Sequence, residues 1–187
     1  MKIGLVGEAP NDTMSLQNLL SRKYVNEKIE FVSLLKIQNG SSLDSSRTHK
    51  LLIIENRIQK PDLIIFIRDL DAVLPNRPKK LERLLYFRKS NRQVKHIGIF
   101  LLHIYEIEAL ILSDVETFNE IYGAELEEFE DVMKVDQPKE VLMAASNKYS
   151  ESDNAKIFKK LNLDKLLGCQ YFKDFIDELD AKINLHT

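Results

Sequence analysis

The chain has one cysteine, no tryptophan, six glycines and five prolines in 187 residues. A lone cysteine excludes an intrachain disulfide framework and the paired CxxC spacing of a zinc ribbon, and it fits a reducing, cytoplasmic setting. No stretch is rich enough in Gly, Ser or Pro to act as a linker between domains, and no repeat or low-complexity tract is present. Long apolar runs are missing too: the longest, at 97–104, contains His103 and falls far short of the roughly 18 residues that span a bilayer. At the N-terminus about five apolar residues are broken by Gly7, Glu8 and Pro10, too few for a signal-peptide core. Neither GxxxxGK[ST], GxGxxG nor GxSxG occurs, which excludes a P-loop ATPase, that dinucleotide fingerprint and a nucleophile elbow. Net charge is nearly absent, with 27 Lys+Arg against 29 Asp+Glu. That balance leaves a nucleic-acid partner open, because binding depends on where the positive charges sit.

What is present is an ordinary globular composition, 44% hydrophobic, with enough chain for one domain to bury a core without a disulfide or structural metal. Lys2–Val6 reads as a buried strand, followed by a turn and by Met14, Leu16, Leu19 and Leu20 at helical spacing. A second strand is expected at 29–35, a loop at Asn39-Gly40-Ser41-Ser42 and a helix at 48–59. Leu63-Ile64-Ile65-Phe66-Ile67 has the continuous apolar character of a strand buried on both faces. A basic helix at 79–88 and a strand at 97–102 complete an α/β pattern with a mainly parallel sheet. Helices are expected at 106–122, 137–148, 153–160 and 170–184, with 161–168 as connector and the acidic 124–131 as an exposed loop or frayed helix. The expectation is a single domain, 1–187, with an α/β core at 1–123 and a helical extension at 124–187.

Ligands of open parallel sheets gather outside the carboxyl ends of the strands. Three carboxylate sets fall there: Glu8 after the first strand, Asp69 and Asp71 after the central one, and Glu106 and Glu108 after the strand at 97–102. On extended backbone Asp69 and Asp71 share a face; on a helix Glu106 and Glu108 diverge by roughly 200°, leaving one to face the site. Converging carboxylates repel unless a cation compensates, and an all-oxygen set favours Mg²⁺ or Mn²⁺ over zinc. Such a centre suits phosphoryl transfer. The plainer alternative for each set is a helix cap or a solvated loop charge.

Between Arg77 and Lys95 lie eight cations, among them Arg77, Lys79, Lys80, Arg83 and Arg88, with Glu82 the single acidic residue. Placed beside the Asp69/Asp71 loop, this helix is a candidate grip on a phosphate backbone. It also reads as a solvated amphipathic helix with Leu81, Leu84, Leu85 and Phe87 inward, or as a surface for an acidic protein. His49, His96, His103 and His186 have no metal spacing and are expected to be satisfied structural residues. Asp12 and Thr13 are candidates to cap the first helix or to support Glu8 through a hydrogen bond.

Val6-Gly7-Glu8-Ala9-Pro10-Asn11-Asp12, Arg68-Asp69-Leu70-Asp71 and the run from Glu106 to Asp114, EIEALILSD, resemble a family of small bacterial TOPRIM-like proteins related to overcoming-lysogenization-defect nucleases. The likeness runs through most of the chain, including Pro138-Lys139-Glu140-Val141-Leu142 and the segment from Cys169 to Phe175 in the tail. Ala9 stands where many members carry Gly, and Leu110 where many carry Trp. The resemblance implies a Rossmann-like TOPRIM fold and Mg²⁺ or Mn²⁺ held by Glu8, Asp69 and Asp71, with Glu106 or Glu108 completing the site. It further implies cleavage of DNA or RNA, an ATPase partner and a role in defence against phage or mobile DNA. Lys139 and Lys148 are the cations such a tail would offer. The reading from another class is a catalytically silent module that binds and regulates an ATPase or nucleic acid. Exposed edge strands leave a homodimer open.

Overall fold

A computed structural model describes residues 1–35 and 42–185. Its strands are β1 (Lys2–Val6), β2 (Glu30–Ser33), β3 (Leu63–Asp69) and β4 (Gly98–His103), joined by helices α1 (Pro10–Lys23), α2 (Ser46–Gln59) and α3 (Arg77–Gln93). The strands form one parallel sheet in the order β2-β1-β3-β4. The chain therefore steps one way from β1 to β2 and the other way from β2 to β3 and β4. Right-handed crossovers then put α1 on one face and α2 and α3 on the other. The core residues agree: Ile3, Leu5, Ile65, Ile67, Ile99 and Leu101 pack with Leu16, Leu19 and Leu20 of α1, whereas Val6, Ile64 and Phe66 pack with Leu52 of α2 and Tyr86 of α3. The mainly parallel sheet flanked by helices is the architecture expected.

The tail forms α4 (Ala109–Leu112), α5 (Val115–Tyr122), α6 (Pro138–Ala145), α7 (Asn154–Ile157), α8 (Leu163–Leu166) and α9 (Gln170–Asn184). It belongs to the α1 face. Phe158, Phe172, Phe175 and Leu179 share one cluster with the strands, and Asn18 and Arg22 of α1 donate to the carbonyls of Ala155, Phe158 and Leu161. In place of the single helix expected at 106–122 there are two. Tyr105 adopts φ 61°, so residues 106–108 form a turn, and buried Asp114 separates α4 from α5 while accepting the Asn162 N–H (2.8 Å) and the Thr117 hydroxyl (2.6 Å). Residues 124–129 are coil, and the 161–168 connector contains α8. The Asn39-Gly40-Ser41 stretch of the expected loop lies outside the described residues.

The basic helix α3 runs longer than expected and is turned differently. Arg83, Tyr86 and Ser90 are its buried residues, while Leu81 and Leu85 are each more than half exposed. The expected inward side holds for Phe87, which stacks on Phe100 and meets Phe66 edge-on, and is corrected for Leu81 and Leu85: Arg83 takes an inward position because its guanidinium has partners at the end of β3. Farther along, Asn91 Oδ1 accepts the Gly98 N–H (2.8 Å). A Cβ at Gly98 would lie 2.6 Å from Phe66 and 2.7 Å from Asn91 Oδ1. Gly98→Ala is therefore expected to destabilise the fold by about 1–3 kcal/mol, read as a lower denaturation midpoint in urea. Among the described residues no helix is long and apolar enough to cross a membrane.

Candidate functional site

Strand order reverses between β1 and β3, and the crevice outside their carboxyl ends is where open parallel sheets place ligands. Asp69 is the last residue of β3, in register with His103 of β4. By alternation it shares the face of Ile65 and Ile67, whereas Arg68 points to the other face, over the ring of Tyr86 (4.5 Å). The Asp69 carboxylate forms no hydrogen bond or ion pair among the described residues. Burial pushes its pKa well above the ordinary carboxylate range, and Asp12, Glu8, Glu108 and Asp71 add to the rise. Four other carboxylates thus act on one that has no donor.

Each neighbour is held differently. Glu8, just beyond β1, accepts Arg68 Nε (2.5 Å) and the Asp69 N–H (3.3 Å). Asp12, in the first turn of α1, is 6% exposed and accepts the Ala9 N–H (2.9 Å), which is the expected cap. Burial, then Glu8 and Glu151, push its pKa up to about 6 against the backbone hydrogen bonds. Thr13 is buried and donates to Pro10 O (2.9 Å). Asp71 has φ 52°, so the strand alternation that would align it with Asp69 ends before it. Its half-exposed side chain pairs with Arg83, and its carbonyl accepts Lys79 Nζ.

The turn after β4 separates the two glutamates. Glu108 is 3% exposed and contributes to the field on Asp69. It accepts Asn154 Nδ2 (2.7 Å), and Asn154 in turn accepts the Tyr149 hydroxyl (2.8 Å). Burial raises its pKa to about 7, with Glu106 and Glu151 adding. Glu106 is directed to α6 instead, accepting the Lys139 N–H (2.7 Å) with Lys139 Nζ at 4.0 Å. Its pKa is raised, by burial foremost. The tail thereby reaches the carboxylates: Lys139 stands beside Glu106 and Glu151, while Lys148 is exposed. Of the candidate phosphate-gripping residues, Lys79 and Arg83 are taken up by Asp71. Arg77, Lys80 and Arg88 are exposed and without ion pairs among the described residues.

Several residues of this crevice have no role that sequence pattern alone assigns. Arg68 stands inside the Arg68-Asp69-Leu70-Asp71 motif, and a cation on a buried strand beside carboxylates is the signal that marks it as a counter-ion. Asn154 carries no such signal, since only the fold brings it to Glu108. His103, expected to be satisfied, is fully buried with neither ring nitrogen partnered among the described residues. Burial lowers its pKa to about 3, so it stays neutral at ordinary pH. Tyr171 of α9 meets it edge-on at 6.1 Å, its own hydroxyl likewise unpartnered among those residues. His49 lies 3.5 Å from the Ser90 hydroxyl, His96 is exposed, and His186 lies outside the described residues.

Among the described residues, no group of three or more His, Cys, Asp or Glu stands in position to hold a metal ion together. The donor chemistry nevertheless suits a hard divalent cation: every candidate donor is an oxygen, and the central carboxylate has no compensating charge of its own. Compared with protein-family models, with curated proteins and with solved structures, the chain matches none of them.

Proposed function

We propose that the chain is a Mg²⁺- or Mn²⁺-dependent phosphodiesterase acting on DNA or RNA, of the TOPRIM-like kind its motifs resemble. The observation that carries this reading is the donorless Asp69 carboxylate at the strand-order switch point, in the field of Glu8, Asp12, Asp71 and Glu108. Asp69, Glu8, Glu108 and Asp71 would hold the cation. When bound, it would supply a water made nucleophilic near neutral pH and a counter-charge for the phosphoryl oxygens. Arg68 engages Oε1 of Glu8, and Asn154 sets the position of Glu108. Glu106 accepts the Lys139 N–H, keeping that lysine near the carboxylates. Exposed Arg77, Lys80 and Arg88 would neutralise phosphates outside the crevice, an attraction that weakens steeply with salt.

Titration calorimetry with Mn²⁺ and Mg²⁺ tests the site, using Asp69→Ala/Asp71→Ala as the comparison. Saturable binding by the parent and none by the variant is expected, followed by Mn²⁺-dependent cleavage of plasmid, linear DNA or RNA by the parent alone. Equal binding and cleavage by both proteins would refute the assignment.

One arrangement favours the second reading, a catalytically silent module that regulates an ATPase partner in phage defence. Arg68 and Arg83 already neutralise Glu8 and Asp71, and α3 presents Leu81 and Leu85 to solvent among cations, as a protein-docking helix would. No cleavage by either the parent or Glu8→Gln, with structure and partner binding retained in the variant, is the result this alternative requires.

A further inference from the structure

At the opposite end of the sheet, before β3 and β4, the carboxyl ends of α2 and α3 border a cavity of about 420 Å³. β3 alone separates it from Asp69 by roughly 20 Å of strand. Arg57, Lys60 and Lys95 line it, all exposed, and none forms an ion pair with a described residue. Among the described residues no acidic side chain lines it. The nearest in sequence, Glu55 and Asp62, accept the N–H groups of Leu35 (2.9 Å) and Lys2 (2.7 Å) instead.

The helix ends account for only a share of this charge. Two helix C-termini carry about half a negative charge each, so roughly two of the three positive charges remain uncompensated. Some of the terminal carbonyls are also already engaged: Asn56 O accepts the Lys60 N–H and Asn91 O that of His96, each at 2.9 Å. Lys60, Lys95 and His96 adopt φ of 49°, 59° and 65°. A glycine would relieve that backbone at a helix end, whereas a lysine keeps an ammonium at the cavity mouth. Asn56 and Gln93 supply amide groups at the wall, and the part-exposed Ile53 and Ile97 supply apolar surface.

We propose that this cavity binds a phosphate monoester of about nucleotide size, its phosphate between Arg57, Lys60 and Lys95 and its ring or sugar against Ile53 and Ile97. The size is that of ordinary small-ligand pockets, and the site is separate from the carboxylate crevice. The phosphate is either that of a free nucleotide or that at the 5′ end of a strand.

Calorimetric titration with pyrophosphate, AMP and a short 5′-phosphorylated oligonucleotide, in chelator to silence the crevice, tests this. Saturable binding of pyrophosphate and at least one phosphate monoester is expected, weakened roughly tenfold or more in Lys60→Gln/Lys95→Gln. The change should be absent in Lys159→Gln/Lys160→Gln, which removes the same charge elsewhere. AMP binding assigns the free nucleotide; binding of the oligonucleotide without AMP assigns the strand end. Unfolding midpoints check that both variants are folded. No saturable binding by any probe, or equal weakening in the two variants, overturns the proposal.

Discussion

Asp69→Asn is expected to raise the unfolding midpoint at pH 8 in the presence of chelator while sharply reducing the response of the midpoint to Mn²⁺. Unfolded, aspartate and glutamate carboxyls ionise at 3.8 and 4.5; folded, Asp12 and Glu108 hold protons up to about 6 and about 7, and Asp69 is shifted in the same direction. Across that window the folded state binds more protons than the unfolded one, so stability falls as pH rises, and the loss is complete for Asp12 and Glu108 only above about pH 8. Each tenfold change in proton affinity is worth about 1.4 kcal/mol. The cluster therefore costs the parent several kcal/mol between pH 4 and 8, a fall on the order of 10 °C for a chain of this size. Mn²⁺ held at the proposed site is expected to restore part of what ionisation removes, because a ligand that binds only the native state stabilises by mass action. Removing the central charge flattens the pH profile and leaves less for the cation to restore. A lower midpoint for Asp69→Asn at pH 8 would mean that the carboxylate is compensated, and the carboxylate-centre reading would fall with it.

The cluster is partly legible in the sequence because strand ends are legible. Continuous apolar runs such as Leu63-Ile64-Ile65-Phe66-Ile67 can be buried on both faces only in a covered sheet, which fixes where Asp69 stands. The direction of Asp71 is not legible, because the period of two holds only on extended backbone and Asp71 is left-handed. The same limit applies to Glu106 and Glu108, whose separation follows from the turn at Tyr105. On α3, helical spacing groups the leucines but does not give their direction: an arginine can outcompete leucine for the inward side when a carbonyl and a carboxylate await it, as the Asp69 carbonyl and Asp71 await Arg83. The tail's position at the site depends on contacts more than a hundred residues apart, among them Asn11 Nδ2 to Glu151 O (2.5 Å), which local pattern does not encode.

Arg68 gives the other large effect. Its guanidinium is 3% exposed, donates to Glu8, lies 3.6 Å from Asp44 and stacks over Tyr86. Arg68→Met keeps much of the volume but leaves Glu8 without its cation beside Asp69, so a loss of about 3–5 kcal/mol is expected. Glu8→Gln/Arg68→Met should recover a substantial share of it, since the uncompensated charge goes with the carboxylate, and a double-mutant cycle in urea reads the coupling directly. Simple additivity would show that the pair is not what makes Arg68 costly to remove. The cation response separates positioning from competition. Arg68 occupies an oxygen of Glu8 that a divalent ion would need, so in Arg68→Met the midpoint rise on adding Mn²⁺ should exceed that of the parent even though the variant is less stable without it. A smaller rise would instead make Arg68 the residue that presents Glu8 to the cation, and the two results assign opposite roles to the same buried ion pair.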